Sequence, residues 1–217
     1  VNTLRTWHIM DIMSIVIDTV EENESYFCDL DSAAGDGDFG TSLANGFRGI
    51  RSDWDSLDKE EIGGFMKSCG LIIMEKCGGA SGPIWGTAFR HAGSYAKGKD
   101  SIDLEGLAGF FQALVDGVQK IGGAKQGDKT LLDALIPAAE SLKESASARK
   151  DFPTAVKECA EAAGKGAETT KEIPAAKGRA RYLGDRSVGY YDAGAKAVAV
   201  ILADVYDKYF KDRDFSQ

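Results

Sequence analysis

Apolar residues recur along this chain at intervals of three and four, the spacing that lines one face of an α-helix, and nowhere alternate strictly over a useful length. A first stripe runs through Ile9, Ile12, Met13, Val16, Ile17 and Val20, with Thr3 placed to cap it. A Gly/Asp-rich stretch follows and reads as a loop, after which Leu43, Phe47, Ile50 and Trp54 mark a second helix. Asp58, with Glu61 three residues on, reads as a capping box ahead of Ile62, Phe65, Met66, Cys69, Ile72 and Ile73. Trp85, Phe89, Ala92 and Tyr95 form the next stripe, and Asp103 is placed to cap one bearing Leu107, Phe111, Leu114 and Val118. Asp128 precedes Leu131, Leu132, Leu135 and Leu142, where Pro137 predicts a kink. Thr154 opens an Ala-rich segment with Val156, Cys159, Ala163 and Ala167, and a last helix carries Val198, Ile201, Leu202, Val205 and Tyr209. The pattern predicts about eight helices. With no compositional break resembling a linker, it reads as one all-α domain over residues 1–217.

Charge narrows the partners. Twenty-six basic against 34 acidic residues give a net charge of −8, so general binding to nucleic acid or to an anionic membrane would run against the chain's own field. No apolar run is long enough to span a bilayer, and the start VNTLRTWHIMDIM has Asp11 inside its apolar stretch and no small-residue cleavage site, unlike a signal peptide. Cys28, Cys69, Cys77 and Cys159 form no Cys-x-x-Cys pair and meet no histidine cluster; they read as buried reduced thiols in a cytoplasmic protein. His8 and His91 fall on helices away from any motif and read as structural or solvent-facing, and Trp7, Trp54 and Trp85 as core.

The unusual component is glycine, 26 of 217 residues. Because glycine costs about 1 kcal/mol inside a helix, a helical chain should keep it in loops. Much of it falls in three clusters, each ahead of an expected helix. The first, DLDSAAGDGDFGTS, brings Asp29, Asp31, Asp36 and Asp38 close together. Such carboxylates repel one another unless a cation relieves them. EF-hand spacing fails from either Asp36 or Asp31, and the incomplete ligand set suits Mg²⁺, which shares its coordination with water and phosphate. Turn formation and helix capping are the alternative use of the same residues. The second cluster, Gly78-Gly79-Ala80-Ser81-Gly82-Pro83, is either a phosphate cradle at a helix N-terminus or a tight inter-helix turn; it is not a Walker A loop. The third, KGRARYLGDRSVGYYDAGA, holds Lys177, Arg179, Arg181 and Arg186, suited to phosphate or to a solvated loop.

Taken in order, GDGDFGTSLANGF, GGASGPIWGTAF, QGDKTLLDAL and KGRARYLGDRSVGYYDAGA resemble the nucleotide-binding L subunits of bacterial dihydroxyacetone (glycerone) kinases, from about Asp31 to Gly194. The resemblance implies a single-domain antiparallel eight-helix barrel with a nucleotide site at one rim. It implies that Asp31, Asp36 and Asp38 hold two Mg²⁺ ions bridging to ADP or ATP. Ala80 and Ser81 match positions lining the phosphates, with Thr41 and Ser42 nearby; Gly122, Leu131, Arg179, Asp192 and Gly194 match others around the nucleotide, and Phe39, Gly40, Gly79 and Ala193 complete the expected shell. Arg179 is the implied catalytic cation. The implied partners are a K subunit that holds the ketone on a histidine and a phosphohistidine donor protein of the phosphotransferase system, with a transcription regulator as a further partner in this family. One form of the family keeps ADP as a cofactor recharged by that donor, which a free-standing chain favours; the other exchanges ATP. Phe39 stands where phosphotransferase-type subunits commonly carry histidine, and the GDGDxGT pattern is closer to ATP-using relatives.

Overall fold

The structure, a computed structural model, describes residues 3–213 and residue 215. Among these residues nine α-helices follow one another: α1 (Thr6–Glu22), α2 (Glu24–Ser32), α3 (Phe39–Ser52), α4 (Ile62–Lys76), α5 (Ser81–Tyr95), α6 (Leu104–Gly122), α7 (Leu132–Ser147), α8 (Phe152–Thr169) and α9 (Ala193–Val205). The only strands described are two-residue segments, β1 (Leu4–Arg5) and β2 (Ser101–Ile102), paired antiparallel with Leu4 opposite Ile102. Eight helices close a ring. Along it α1 neighbours α3, each helix from α3 to α8 packs on the next, and α9 returns to α1; α2 lies outside the circuit, against α3. From α3 to α8 connections of four to nine residues join consecutive neighbours in an up-and-down arrangement, and a longer segment, residues 170–192, leads from α8 to α9.

The apolar stripes face the ring's interior. Ile9, Met13, Ile17 and Val20 are buried on α1, Phe65, Met66, Cys69 and Ile73 on α4, and Val198, Ile201 and Val205 on α9. An apolar cavity of about 160 Å³ remains between α1 and α4–α9, bordered by residues such as Met13, Trp85, Leu107 and Val198. No described helix is long and apolar enough to cross a membrane.

Several expected boundaries move. Thr3 does not cap α1; the N-cap is Arg5, held in the strand pair, and His8 Nδ1 accepts from its backbone N–H at 2.9 Å. Glu61 rather than Asp58 caps α4, accepting from Gly64 N at 2.8 Å. Asp103 does cap α6, with Gly106 N at 2.8 Å. Asp151 rather than Thr154 opens α8, accepting from Thr154 N at 2.7 Å with Pro153 in the first turn. Asp128 accepts from Lys125 N at 3.0 Å in the preceding turn, and the N-cap of α7 is Leu131. Trp54 sits in a short 3-10 turn after α3, half-buried; Trp7 is 51% exposed, and only Trp85 of the three is buried. Three cysteines are buried and Cys28 is half-buried; all four are free thiols, and burial pushes Cys69 up to about 12 and Cys77 up to about 11.

Glycine is not confined to loops either. The antiparallel pair α4 and α5 approaches so closely that a Cβ on Gly70 would stand 2.8 Å from the Gly86 carbonyl oxygen, and one on Gly86 2.7 Å from that of Gly70. The helix-propensity cost is offset by backbone-to-backbone packing that any side chain would wedge apart. α7 runs continuously through Pro137, which leaves the Asp133 carbonyl without its intrahelical donor. α8 packs onto that carbonyl, where a Cβ at Gly166 would overlap it.

Candidate functional site

The segment expected to be an Asp-bearing loop is half helix. Asp29 and Asp31 belong to α2, and Asp31 stands on its last turn. The chain then folds back on the Asp31 carboxylate. Gly37, at φ 77°, donates its N–H to Asp31 Oδ2 at 2.9 Å, and a Cβ at Gly35 would overlap the same carboxylate. Asp38 is the N-cap residue of α3, yet its side chain makes no capping hydrogen bond. Asp31, Asp36 and Asp38 each place a carboxylate oxygen within 4.8 Å of the other two; Asp31 is half-buried, and Asp36 and Asp38 are exposed. Hard oxygen donors, converging, open on one side and unspent on capping, fit Mg²⁺ with water or phosphate completing its shell. Asp29 is not part of this group.

These carboxylates border one cleft of about 720 Å³. On its second wall the turn between α4 and α5 presents Gly78, Gly79 and Ala80, with Gly79 at φ 56° and open space where its Cβ would be. α5 begins at Ser81 without a side-chain cap, so its first N–H groups remain available to an anion. Gly122 at the end of α6 and Leu131 before α7 form a third wall, and the segment from Lys177 to Arg181 with Asp192, Ala193 and Gly194 closes the fourth. The Arg179 guanidinium forms an ion pair with Asp36, joining the basic segment to the Asp cluster.

Of the residues expected around a nucleotide, Phe39, Ser42, Gly79, Ala80, Ser81, Gly122, Leu131, Arg179, Asp192, Ala193 and Gly194 border the cleft. Gly40 and Thr41 do not. Gly40 is buried where α3 meets α2, and the Thr41 hydroxyl lies 3.5 Å from Cys28 Sγ. The Phe39 ring is half-buried and packs against Phe27 at 6.2 Å between centroids. Among the further residues lining the cleft that the sequence patterns do not single out are Lys129 and Tyr191; Tyr191 donates to Glu168 and carries the Lys171 and Lys196 ammonium groups over its ring at 4.8 and 4.4 Å.

Asp192 is the N-cap of α9, accepting from Ala195 N at 2.8 Å. Burial pushes its carboxyl up to about 7, aided by the negative charges of Asp133 and Asp31 and opposed by the Ala195 hydrogen bond and by Lys129. A folded-state value above the unfolded one means that the native protein binds the extra proton between about pH 4 and pH 7. The stability Asp192 contributes is therefore fully present at low pH and lost as pH rises through 7. In thermal melts without nucleotide or metal, the stability of the parent relative to Asp192→Asn should decline from pH 4 to pH 8. A difference constant across that range would refute the sheltered carboxyl.

The DAK2 domain family model matches residues 33–207, which include the Asp36–Asp38 pair, the glycine turn and the basic segment. The chain belongs to the DAK2 domain family. It is 35% identical over 185 residues to the ADP-binding subunit DhaL of the PEP-dependent dihydroxyacetone kinase of Escherichia coli (strain K12), an alignment covering 85% of this chain and 88% of that subunit. It is 31% identical over 197 residues to the L-erythrulose 1-kinase of Mycolicibacterium smegmatis, covering 90% of this chain and 34% of that enzyme. The crystal structure of the dihydroxyacetone kinase from C. freundii in complex with AMP-PNP and Mg²⁺ superposes with a TM-score of 0.70 at 28% identity, over 91% of this chain. The chain spans 33% of the length of that solved chain.

Proposed function

We propose that this chain is the ADP-binding, phosphoryl-transfer subunit of a dihydroxyacetone kinase. In this reading it passes phosphate from a phosphohistidine protein of the phosphotransferase system, by way of its nucleotide, to dihydroxyacetone held on a separate K subunit. The observation that carries the proposal is the convergence of Asp31, Asp36 and Asp38 in one cleft with the Gly78–Ala80 turn and Arg179. Two bound Mg²⁺ would neutralise charge on the phosphate oxygens. The protein's own share is distributed. The three carboxylates hold the metal, and the backbone N–H groups around Gly79–Ser81 bind phosphate oxygens. Arg179 offers a planar fork of donors to the transferring group. Leu131, Gly122 and Phe39 give the nucleotide apolar walls, and Ala193 and Gly194 let it lie close to the backbone. We read residues 1–217 as one nucleotide-binding domain, and the free thiols fit a cytoplasmic setting.

Release of the nucleotide from purified, denatured protein tests this reading. About one ADP per chain should appear, and with a K subunit and dihydroxyacetone the protein should turn over with a phosphorylated histidine donor and poorly with free ATP. Protein that arrives empty and turns over repeatedly on ATP alone would establish the second reading, an exchangeable-ATP ketose kinase subunit. Phe39 favours that second reading, since its ring is packed on Phe27 and offers no polar atom to the cleft.

Gly79→Val probes the cradle separately. At φ 56° a β-branched residue is strained, costing on the order of 1–2 kcal/mol, and its side chain would project into open cleft rather than into protein. Calorimetry should show nucleotide affinity falling at least tenfold with a modest drop in melting temperature; unchanged affinity would reduce the loop to a turn.

A further inference from the structure

Lys129 is a buried lysine whose ammonium, among the described residues, bonds to no carboxylate. It lies in the turn before α7, 3% exposed, in the left-handed region at φ 60°. Non-glycine residues hold such a backbone only where their surroundings over-determine it. Here the surroundings are four carbonyl oxygens: Lys129 Nζ stands 2.6 Å from that of Thr170, 3.2 Å from Ile173, 2.7 Å from Ser187 and 2.7 Å from Tyr190. An ammonium has three N–H donors, so this ring uses all of them and leaves none for a phosphate. Lys129 borders the cleft but is not equipped to bind the nucleotide.

The four acceptors share a location. Thr170 and Ile173 begin the excursion between α8 and α9, and Ser187 and Tyr190 end it. Between them lies the segment bearing Lys177, Arg179 and Arg181. The ammonium thus gathers both ends of a long segment, which includes the 3-10 helix Arg179–Ser187, around one cation. Neutral bonds assist at the same base: Gly189 N to Lys171 O at 2.7 Å and Ala175 N to Ser187 Oγ at 2.8 Å. The exposed Arg179 side chain is held by its ion pair with Asp36, while its backbone starts the 3-10 helix and Ala176 N bonds the Asp128 carbonyl at 3.1 Å. Its direction over the Asp cluster therefore depends on how firmly the base is closed.

We propose that Lys129 is a positioning residue for phosphoryl transfer, a tethered cation that closes the base of the 171–191 segment and so fixes Arg179 over the Asp cluster. The proposal rests on the reading of Arg179 given above. A misplacement of about 1 Å at a transferring group costs on the order of 10²-fold in rate. Lys129→Met should therefore lower kcat by about that factor while nucleotide affinity changes by less than about tenfold. Because it acts through Arg179, Lys129→Met in an Arg179→Ala background should add little further loss. Hydrogen exchange of the full chain should quicken in residues 171–191 and remain unchanged in α1, α3 and α4.

Full additivity of the two substitutions, or wild-type kcat in Lys129→Met, would overturn the proposal. So would uniformly faster exchange, which marks a global stability effect. If Lys129→Met does not fold, Lys129→Gln, which keeps an N–H donor on a shorter side chain, takes its place in the same measurements, and the same results support or overturn the proposal. If the parent transfers phosphate from no donor, the functional reading fails, and the exchange pattern still decides whether Lys129 closes the segment.

Discussion

Asp36→Asn is expected to lower phosphoryl transfer by two orders of magnitude or more while leaving the helical ring intact. The substitution nearly preserves shape and removes one of three anionic oxygen donors lying within 4.8 Å of one another. Losing a supporting group around a metal typically costs about 10–100-fold, and losing a direct anionic ligand should cost at least that. Stability should move little, because two small effects oppose. The Asp36–Arg179 pair joins side chains that are 43% and 68% exposed, and such pairs are worth about 0–1 kcal/mol. Removing it is offset by relief of repulsion from Asp31 and Asp38. The measurement is a Mg²⁺ titration of nucleotide binding and transfer, run beside Arg179→Gln. If the carboxylate matters as a metal ligand, only Asp36→Asn shifts the Mg²⁺ requirement upward. If it matters only as the partner of Arg179, the two variants behave alike and the metal assignment falls.

How much of this was legible in the sequence differs by element. The stripes of α1, α4 and α9 could be read because a helix in a closed ring buries one continuous face, and that face has a period. α2 escaped for the converse reason. It lies outside the ring and Phe27 is its only buried residue, so Glu24–Ser32 shows almost no stripe. Its aspartates then look like loop residues. The caps of α4 and α8 went to Glu61 and Asp151 because a cap depends on which backbone N–H groups a side chain can reach, and neighbouring acidic or hydroxyl residues are equivalent by type alone.

Most of the motif residues do border one cleft, since glycine and carboxylate clusters are visible by residue type whatever the fold. Lys129 sat in plain view in QGDKTLLDAL, but its four acceptors lie 41 to 61 residues further along the chain. No local pattern reports them. A lysine beside Gly127 and Asp128 was the one available signal, and by type it suggests a phosphate ligand rather than a tether.

Gly40→Ala is the second substitution expected to have a large effect. The family resemblance puts the residue in the nucleotide shell. In the structure it is the contact between the first turn of α3 and the backbone of α2, where a Cβ would overlap the Glu24 carbonyl oxygen and stand 2.8 Å from Cys28 N. In an open helix, Gly→Ala gains up to about 1 kcal/mol. Here the two helices must separate, and forcing atoms into packed backbone costs about 1–3 kcal/mol. For a chain of this size that corresponds to a fall of roughly 2–12 °C in melting temperature. Gly164→Ala on α8, where a Cβ would meet nothing within 4 Å, is the control and should be neutral or stabilising. The displacement also has a functional consequence, because α2 carries Asp31 and Asp38 stands immediately before α3. Moving one helix from the other widens the carboxylate cluster, so Mg²⁺-dependent nucleotide affinity should fall together with stability. Lost affinity at unchanged melting temperature would return Gly40 to the nucleotide shell. Both properties unchanged would show that α2 and α3 do not need the close approach.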